Sequence, residues 1–261
     1  MRRGSIIVLL ALIAAGCGGH DATSGRTTTA AAPPPLPSFA KARARMFAAR
    51  TVRIDQTTAI VVGGNEIKAY DRGTVALDGS RAHLYKLSAG TATAGEVIVV
   101  GPIVYSNENV QAALSTPGVK PWTRLDRRKL TARERAQRPN ELAHVLAPAY
   151  LAYGARGVTP ARRVADGALF WARIEPTLVR RSLSQAQRAL LGGALASDYP
   201  AKPFNAKFWV DGRDRIRRVI VTWTTNDGTP VAIDTSFAGF GARVDTTPPP
   251  ARSVEDVTAR P

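Results

Sequence analysis

Side chains able to do acid–base or nucleophilic work are few in this chain. It has three histidines, His20, His83 and His144, and a single cysteine, Cys17. A general base needs a partner that orients it, and a metal site needs several nitrogen, sulfur or carboxylate ligands at set spacings. His83 lies in an alternating stretch beside Arg81 and Tyr85, and His144 lies next to the apolar stripe of a helical stretch. Both contexts suit surface or capped histidines better than bases. No G-x-S-x-G, H-E-x-x-H or Walker-type glycine loop occurs. Gly239-Phe240-Gly241 follows a strand pattern but opens no helix, and Asp211, Asp214 and Asp227 sit in turn sequences where aspartate has a local role. The expectation is a protein that is not an enzyme, with no catalytic residue, no cofactor and no metal.

Cys17 is the exception, and its setting gives it a chemistry. Arg2 and Arg3 form a positive start, Ile6 to Ile13 an apolar run too short to span a bilayer, and Ala14-Ala15-Gly16 a small-residue site just before the cysteine. This resembles the lipobox of bacterial lipoproteins, with Ala14 where leucine is commoner. The resemblance implies that residues 1–17 are a lipoprotein signal peptide with its lipobox cysteine, that the Cys17 thiol is acylated, and that it becomes the new N-terminus. The protein would then sit on the outer face of the cytoplasmic membrane, in the cell envelope. Each buried acyl CH₂ adds about 0.8 kcal/mol of membrane affinity, so several chains anchor where one does not. No second cysteine exists to form an intramolecular disulfide.

The chain carries a formal net charge of +16. An export signal argues against nucleic acid as the partner of that charge, and leaves anionic lipid head groups, each basic residue contributing about 1 kcal/mol at a membrane surface. Arg127, Arg128 and Lys129, in a charge-rich segment from Asp126 to Arg138, are the candidates for such contacts, with a solvated loop or helical turn as the alternative.

These residues need a scaffold, and the pattern predicts one. Residues 18–37, rich in Pro, Ala and Thr, read as a flexible tether. Ser38 can cap a helix to Ala49, whose Phe39, Ala42, Met46 and Phe47 share one face. Alternation then predicts strands over Thr51 to Val62, Glu66 to Leu77, Arg81 to Ala89, Glu96 to Ser106 and Pro121 to Leu125. Asn140 to Tyr153 reads as a helix with Leu142, Val145, Leu146 and Tyr150 on its stripe and a kink or break near Ala147, because Pro148 follows. Arg162 to Glu175 reads as a strand, and a helix capped by Ser182 and Gln185 fails at Gly192-Gly193. Phe204 to Phe237 reads as a three-strand meander. In it Val219, Val221 and Trp223 face one way and Ile216 and Ile220 the other, and Gly239 to Val244 adds a last extended piece. Residues 251–261 read as a loose tail. Sequential strands with segregated helices predict an α+β fold with a large antiparallel sheet in one domain over residues 38–250.

The lipobox-like cysteine, the Pro-rich tether, the PFNAKFWVDGRDRIRRVIVTW stretch from Pro203, the FAGFGARVDTTPPP stretch from Phe237 and the two helices between strand groups together resemble the LppX/LprG-type lipoproteins of actinobacteria, which share the fold of the LolA lipoprotein carrier. The resemblance implies a strongly curved antiparallel sheet, a half-barrel, with helices covering its concave face and acyl chains held between them. It implies a lipid or acylated ligand, lipid binding and possibly transport. The pocket wall would be Val219, Val221 and Trp223 on the sheet, with Leu142, Val145, Leu146 and Tyr150 on the covering helix. The other reading keeps the same half-barrel with a filled core, as a non-catalytic envelope module that recognises a protein or polymer partner.

Overall fold

Period-two alternation carries most of the chain into one sheet. The computed structural model describes residues 35–88, 93–107, 110–138 and 140–258. The signal segment, Cys17, His20 and the tether up to residue 34 lie outside the described residues. The compact unit is Leu36–Pro261. Helix α1 (Phe39–Ala48) leads into β1 (Thr51–Val62), β2 (Asn65–Ala76), β3 (Arg81–Ser88), β4 (Thr93–Val100) and β5 (Ile103–Ser106). Then come α2 (Val110–Ser115), β6 (Trp122–Asp126) and α3 (Ala132–Gln137). Helix α4 (Ala143–Tyr150) runs into a 3₁₀ turn at Leu151–Gly154, followed by β7 (Ala155–Val164), β8 (Gly167–Ile174), α5 (Pro176–Ser182) and α6 (Gln185–Ser197). The chain ends with β9 (Phe204–Asp211), β10 (Ile216–Thr224), β11 (Pro230–Ala238) and β12 (Val254–Asp256).

All twelve strands join one sheet in the order β12-β6-β5-β4-β3-β2-β1-β11-β10-β9-β8-β7. Two meanders meet where β1 pairs with β11, and every pairing is antiparallel except β12 on β6. The sheet does not close. With helices on its concave side it is an α+β half-barrel.

Three glycines show how the sheet turns and packs. Gly63 and Gly64 take φ of 59° and 82°, the left-handed pair that a tight β1–β2 hairpin needs. At Gly73 a Cβ would lie 1.9 Å from the His83 carbonyl oxygen, so β3 approaches β2 more closely there than any side chain allows. Helix α1 is held at its start by the Ser38 hydroxyl, which accepts from the Lys41 N–H, and by the Ser38 N–H, which donates to Asp214 at 2.6 Å. Its Ala42 and Met46 are fully buried, and its Phe39 ring meets Phe208 edge-on at 5.0 Å and Phe170 at 5.9 Å.

Several expectations change. Glu96 to Ser106 is two strands, because Gly101 (φ 58°) turns the chain between Val100 and Ile103. The stretch read as one strand from Arg162 is the hairpin β7–β8, with bulges in β7. Pro148 does not break α4. It leaves the His144 carbonyl without its intrahelical donor, and the Gln56 side-chain amide donates there instead, at 3.5 Å. The capping box belongs to Ser184 and Gln187, not Ser182 and Gln185, and α6 passes through Gly192-Gly193 because Leu191, Ala194 and Leu195 bury around them. The segment Gly239 to Val244 forms a turn and irregular chain rather than a strand. The tail is not loose where it is described: β12 pairs with β6, and the Thr258 hydroxyl accepts from the Asp126 N–H. Ile216 faces inward with Val219, not outward with Ile220. A bulge between Ile216 and Arg218 shifts the alternation by one residue.

Candidate functional site

Register lines the inner face into rows that cross the strands. One row is Gln56, Thr235, Val219, Phe208 and Phe170; the next is Ala69, Thr58, Ile233, Val221 and Ala206. The last, at the β1–β2 hairpin end, is Ile67, Ile60, Val231 and Trp223. Val219 and Val221 are each 1% exposed, and Leu142, Val145 and Leu146 of the covering helix are 0%. Tyr150 is equally buried, and its hydroxyl donates to the Leu77 carbonyl. Burial pushes the Tyr150 phenol up to about 12, although a Gln187 amide donating to it pulls the other way. These six residues belong to one apolar cluster with Met46, Phe170 and Phe208.

Trp223 is the candidate that stays half-exposed. Its ring stacks on Tyr199 at 5.7 Å, and Tyr199 stacks on Phe204 at 6.0 Å. Around it the inner face keeps contact with solvent: Thr58, Ile60, Ile67, Ala69 and Val231 are all half-buried, in contrast to the sealed rows under the helices. This open end is an apolar floor that the chain's own side chains leave partly uncovered. An open cleft of about 410 Å³ lies at the same end of the sheet, its walls made by Ala59, Val61, Glu66, Thr222, Thr224 and Pro230 together with Trp223 and Val231 of the floor.

Between the sealed core and the open end runs a polar row that the sequence reading did not single out. Lys86 on β3, Asp71 on β2, Gln56 on β1 and Thr235 on β11 are direct neighbours across four strands. The Thr235 hydroxyl donates to Gln56 Oε1 at 2.9 Å, and Lys86 donates to Glu141 at 2.6 Å. Asp71 is 4% exposed; its Oδ2 lies 3.4 Å from His144 Nε2 on α4, and its Oδ1 accepts no hydrogen bond among the described residues. The signal was present in the alternation of Ala69, Asp71, Gly73 and Val75, which puts a carboxylate on the face that Val75 buries.

The basic segment forms a 3₁₀ turn at Arg127–Lys129. Arg128 and Lys129 are exposed, and Arg127 is partly buried and donates to the Arg138 carbonyl at 3.1 Å. Arg128 also holds the buried Asp126 carboxylate by two side-chain hydrogen bonds, at 3.0 and 2.8 Å. That pairing keeps the Asp126 pKa down at about 2. His83 bonds to Glu96 at 2.5 Å, with its partner on the adjoining strand. Among the described residues no three His, Cys, Asp or Glu side chains come together to hold a metal, and no helix is long and apolar enough to cross a membrane.

No family model matches the chain, and no curated protein does. Solved structures similar to it include the Mycobacterium tuberculosis lipoprotein LppX, at 12% identity and a TM-score of 0.35, covering 80% of this chain and 98% of that one. Another is the LolA superfamily protein NE2245 from Nitrosomonas europaea, at 10% identity and a TM-score of 0.31, covering 76% and 89%. A third is a putative outer membrane lipoprotein-sorting protein domain from Vibrio parahaemolyticus, at 10% and 0.28, covering 77% and 89%. At these values the likeness says nothing of what this chain binds.

Proposed function

We propose that this is a non-enzymatic lipoprotein of the bacterial cell envelope that binds, and carries, a lipid or lipidated molecule. Acylated Cys17 would anchor it to the outer face of the cytoplasmic membrane, with residues 18–37 as tether and Arg128 and Lys129 exposed towards anionic head groups. The observation that supports the reading is the half-exposed apolar floor at the hairpin end of the inner face, around Ile60, Ile67, Val231 and Trp223. An acyl chain laid on it gains about 25 cal/mol for each Å² of apolar surface withdrawn from water, with no catalytic group needed.

Every core-cluster residue lies between Ala42 and Phe237, so a chain lacking residues 1–17 keeps its whole core. Native mass spectrometry of that chain after incubation with envelope lipid extract is the test. Bound lipid is expected, and Ile60→Glu should abolish it at an unchanged melting temperature. A clean protein mass with no uptake would overturn the reading.

One observation favours the second reading, a filled-core module that grips a protein or polymer partner. Val219, Val221, Leu142, Val145, Leu146 and Tyr150 leave almost no surface free beneath the helices. The cleft walled by Ala59, Thr222 and Thr224 would then be the contact surface, and Thr222→Arg should weaken partner capture while Ile60→Glu on the floor leaves it unchanged.

A further inference from the structure

We infer that Asp71 is the head-group anchor of the open end, and that the lipid it selects carries a free hydroxyl. The inference rests on the lipid-binding reading and adds the chemical class of the ligand. A buried carboxylate is expensive unless its oxygens receive hydrogen bonds. Asp71 is 4% exposed, yet only Oδ2 has a neighbour of that kind, the His144 ring at 3.4 Å. Oδ1 accepts nothing among the described residues. The nearest cross-strand donors are engaged elsewhere: Gln56 donates to the His144 carbonyl, and Lys86 to Glu141.

What lies next to Asp71 on the way to the open end is small. Ala69 and Ser88 pair across β2 and β3, and Thr58 faces Ala69 from β1, so the part of that row beside Asp71 holds no bulky side chain, and Ile233 and Val221 come only further along it. The next row out is the apolar one, Ile67 and Ile60, continued by Val231 and Trp223. An acyl chain lying on that outer row would place a head group over the small residues, one row from Asp71, whose Oδ1 is buried and accepts nothing among the described residues. A hydroxyl fits this place. It donates one hydrogen bond to one oxygen and adds no charge to a surrounding where Lys86, Glu141 and His144 are already paired. An ester without a hydroxyl leaves Oδ1 as it is.

The test compares 1-monopalmitoylglycerol with methyl palmitate, which has the same chain and no hydroxyl, on the chain lacking residues 1–17. Binding is read by tryptophan fluorescence and native mass spectrometry. A hydrogen bond to a charged acceptor predicts a preference of about tenfold or more for the monoacylglycerol. Asp71→Leu should bring the two lipids to within about threefold by weakening only the hydroxylated one. Asp71→Asn, of nearly the same shape and still carrying one acceptor oxygen, should keep part of the preference and guards against a misfolded Leu variant. Equal binding of both lipids to the unsubstituted protein, or a preference that survives Asp71→Leu, overturns the assignment while lipid binding stands. If neither lipid binds and envelope extract yields none, the lipid reading falls, and this inference with it.

Discussion

Phe208→Ala measures how completely the inner face is filled. The ring is 0% exposed, sits in register between Phe170 on β8 and Val219 on β10, and meets Phe39 of α1 edge-on at 5.0 Å. Deleting a phenyl group that neighbours cannot replace costs about 3–5 kcal/mol, transfer and cavity terms together. Against a whole-domain stability of about 5–15 kcal/mol, that is a large fraction. Phe39→Ala on the helix side completes a double-mutant cycle, and the aromatic pair should show a coupling of about 0.5–1.5 kcal/mol. Urea unfolding followed by circular dichroism reads both, with an unchanged slope showing that only stability has moved. A loss below about 1 kcal/mol with no coupling would refute the reasoning, because a ring that can be removed so cheaply borders space rather than side chains. The sealed core would then be a hollow, and the lipid floor would extend beneath the helices.

Other outcomes follow from single contacts. The Asp126 carboxyl titrates at about 2 when folded, against 3.8 as an ordinary aspartate, because Arg128 hydrogen-bonds to its charged form. A lowered folded pKa contributes stability above the unfolded value and loses it as pH falls through the folded one. Acid unfolding should therefore steepen between about pH 4 and pH 2 in the unsubstituted protein, and Asp126→Asn should flatten that limb in pH-dependent melting curves. Gly73→Ala places its methyl against the His83 carbonyl, so it should lower the melting temperature far more than Gly193→Ala, where nothing beyond the local helix backbone lies within 4 Å of the added carbon. Differential scanning fluorimetry of the pair decides this, and equal shifts would contradict the close approach of β2 and β3.

Much of the sheet was legible because one face is buried and the other is not. Phe204, Ala206, Phe208 and Val210 alternate with more exposed neighbours as their sequence predicts, and the same holds for Val52, Ile54 and Gln56 at the start of β1. Elements were misread where a local signal met a tertiary contact. Val99, Val100, Ile103 and Val104 read as one apolar run, yet Gly101 folds it back on itself. Gly192-Gly193 has the look of a helix stop, but burial of Leu191 and Leu195 carries α6 onward. Ile216 changed faces through a bulge, which leaves no compositional trace. The tail was invisible because its partner, β6, is remote in sequence; Asp126 and Thr258 are 132 residues apart. Within the candidate site, parity alone puts Asp71 on the inner face, but only the fold brings His144 over it. Pro148 gave a true local signal without the break it allows, since the freed carbonyl found Gln56 on β1.

The two rims of the sheet are defended by different means. At β7 the backbone is guarded by Pro160, by two irregularities in pairing and by a run of exposed arginine that repels a second copy. At the other rim the guard is the short parallel strand β12, backed by the Thr258 hydroxyl on the Asp126 amide. A chain clipped before Val254 would bare the hydrogen-bonding edge of Trp122–Asp126, a template for another molecule. Proteolytic trimming at the carboxyl end would thus favour edge-to-edge association between copies, and a purification tag belongs beyond Pro261, where it leaves that seal in place.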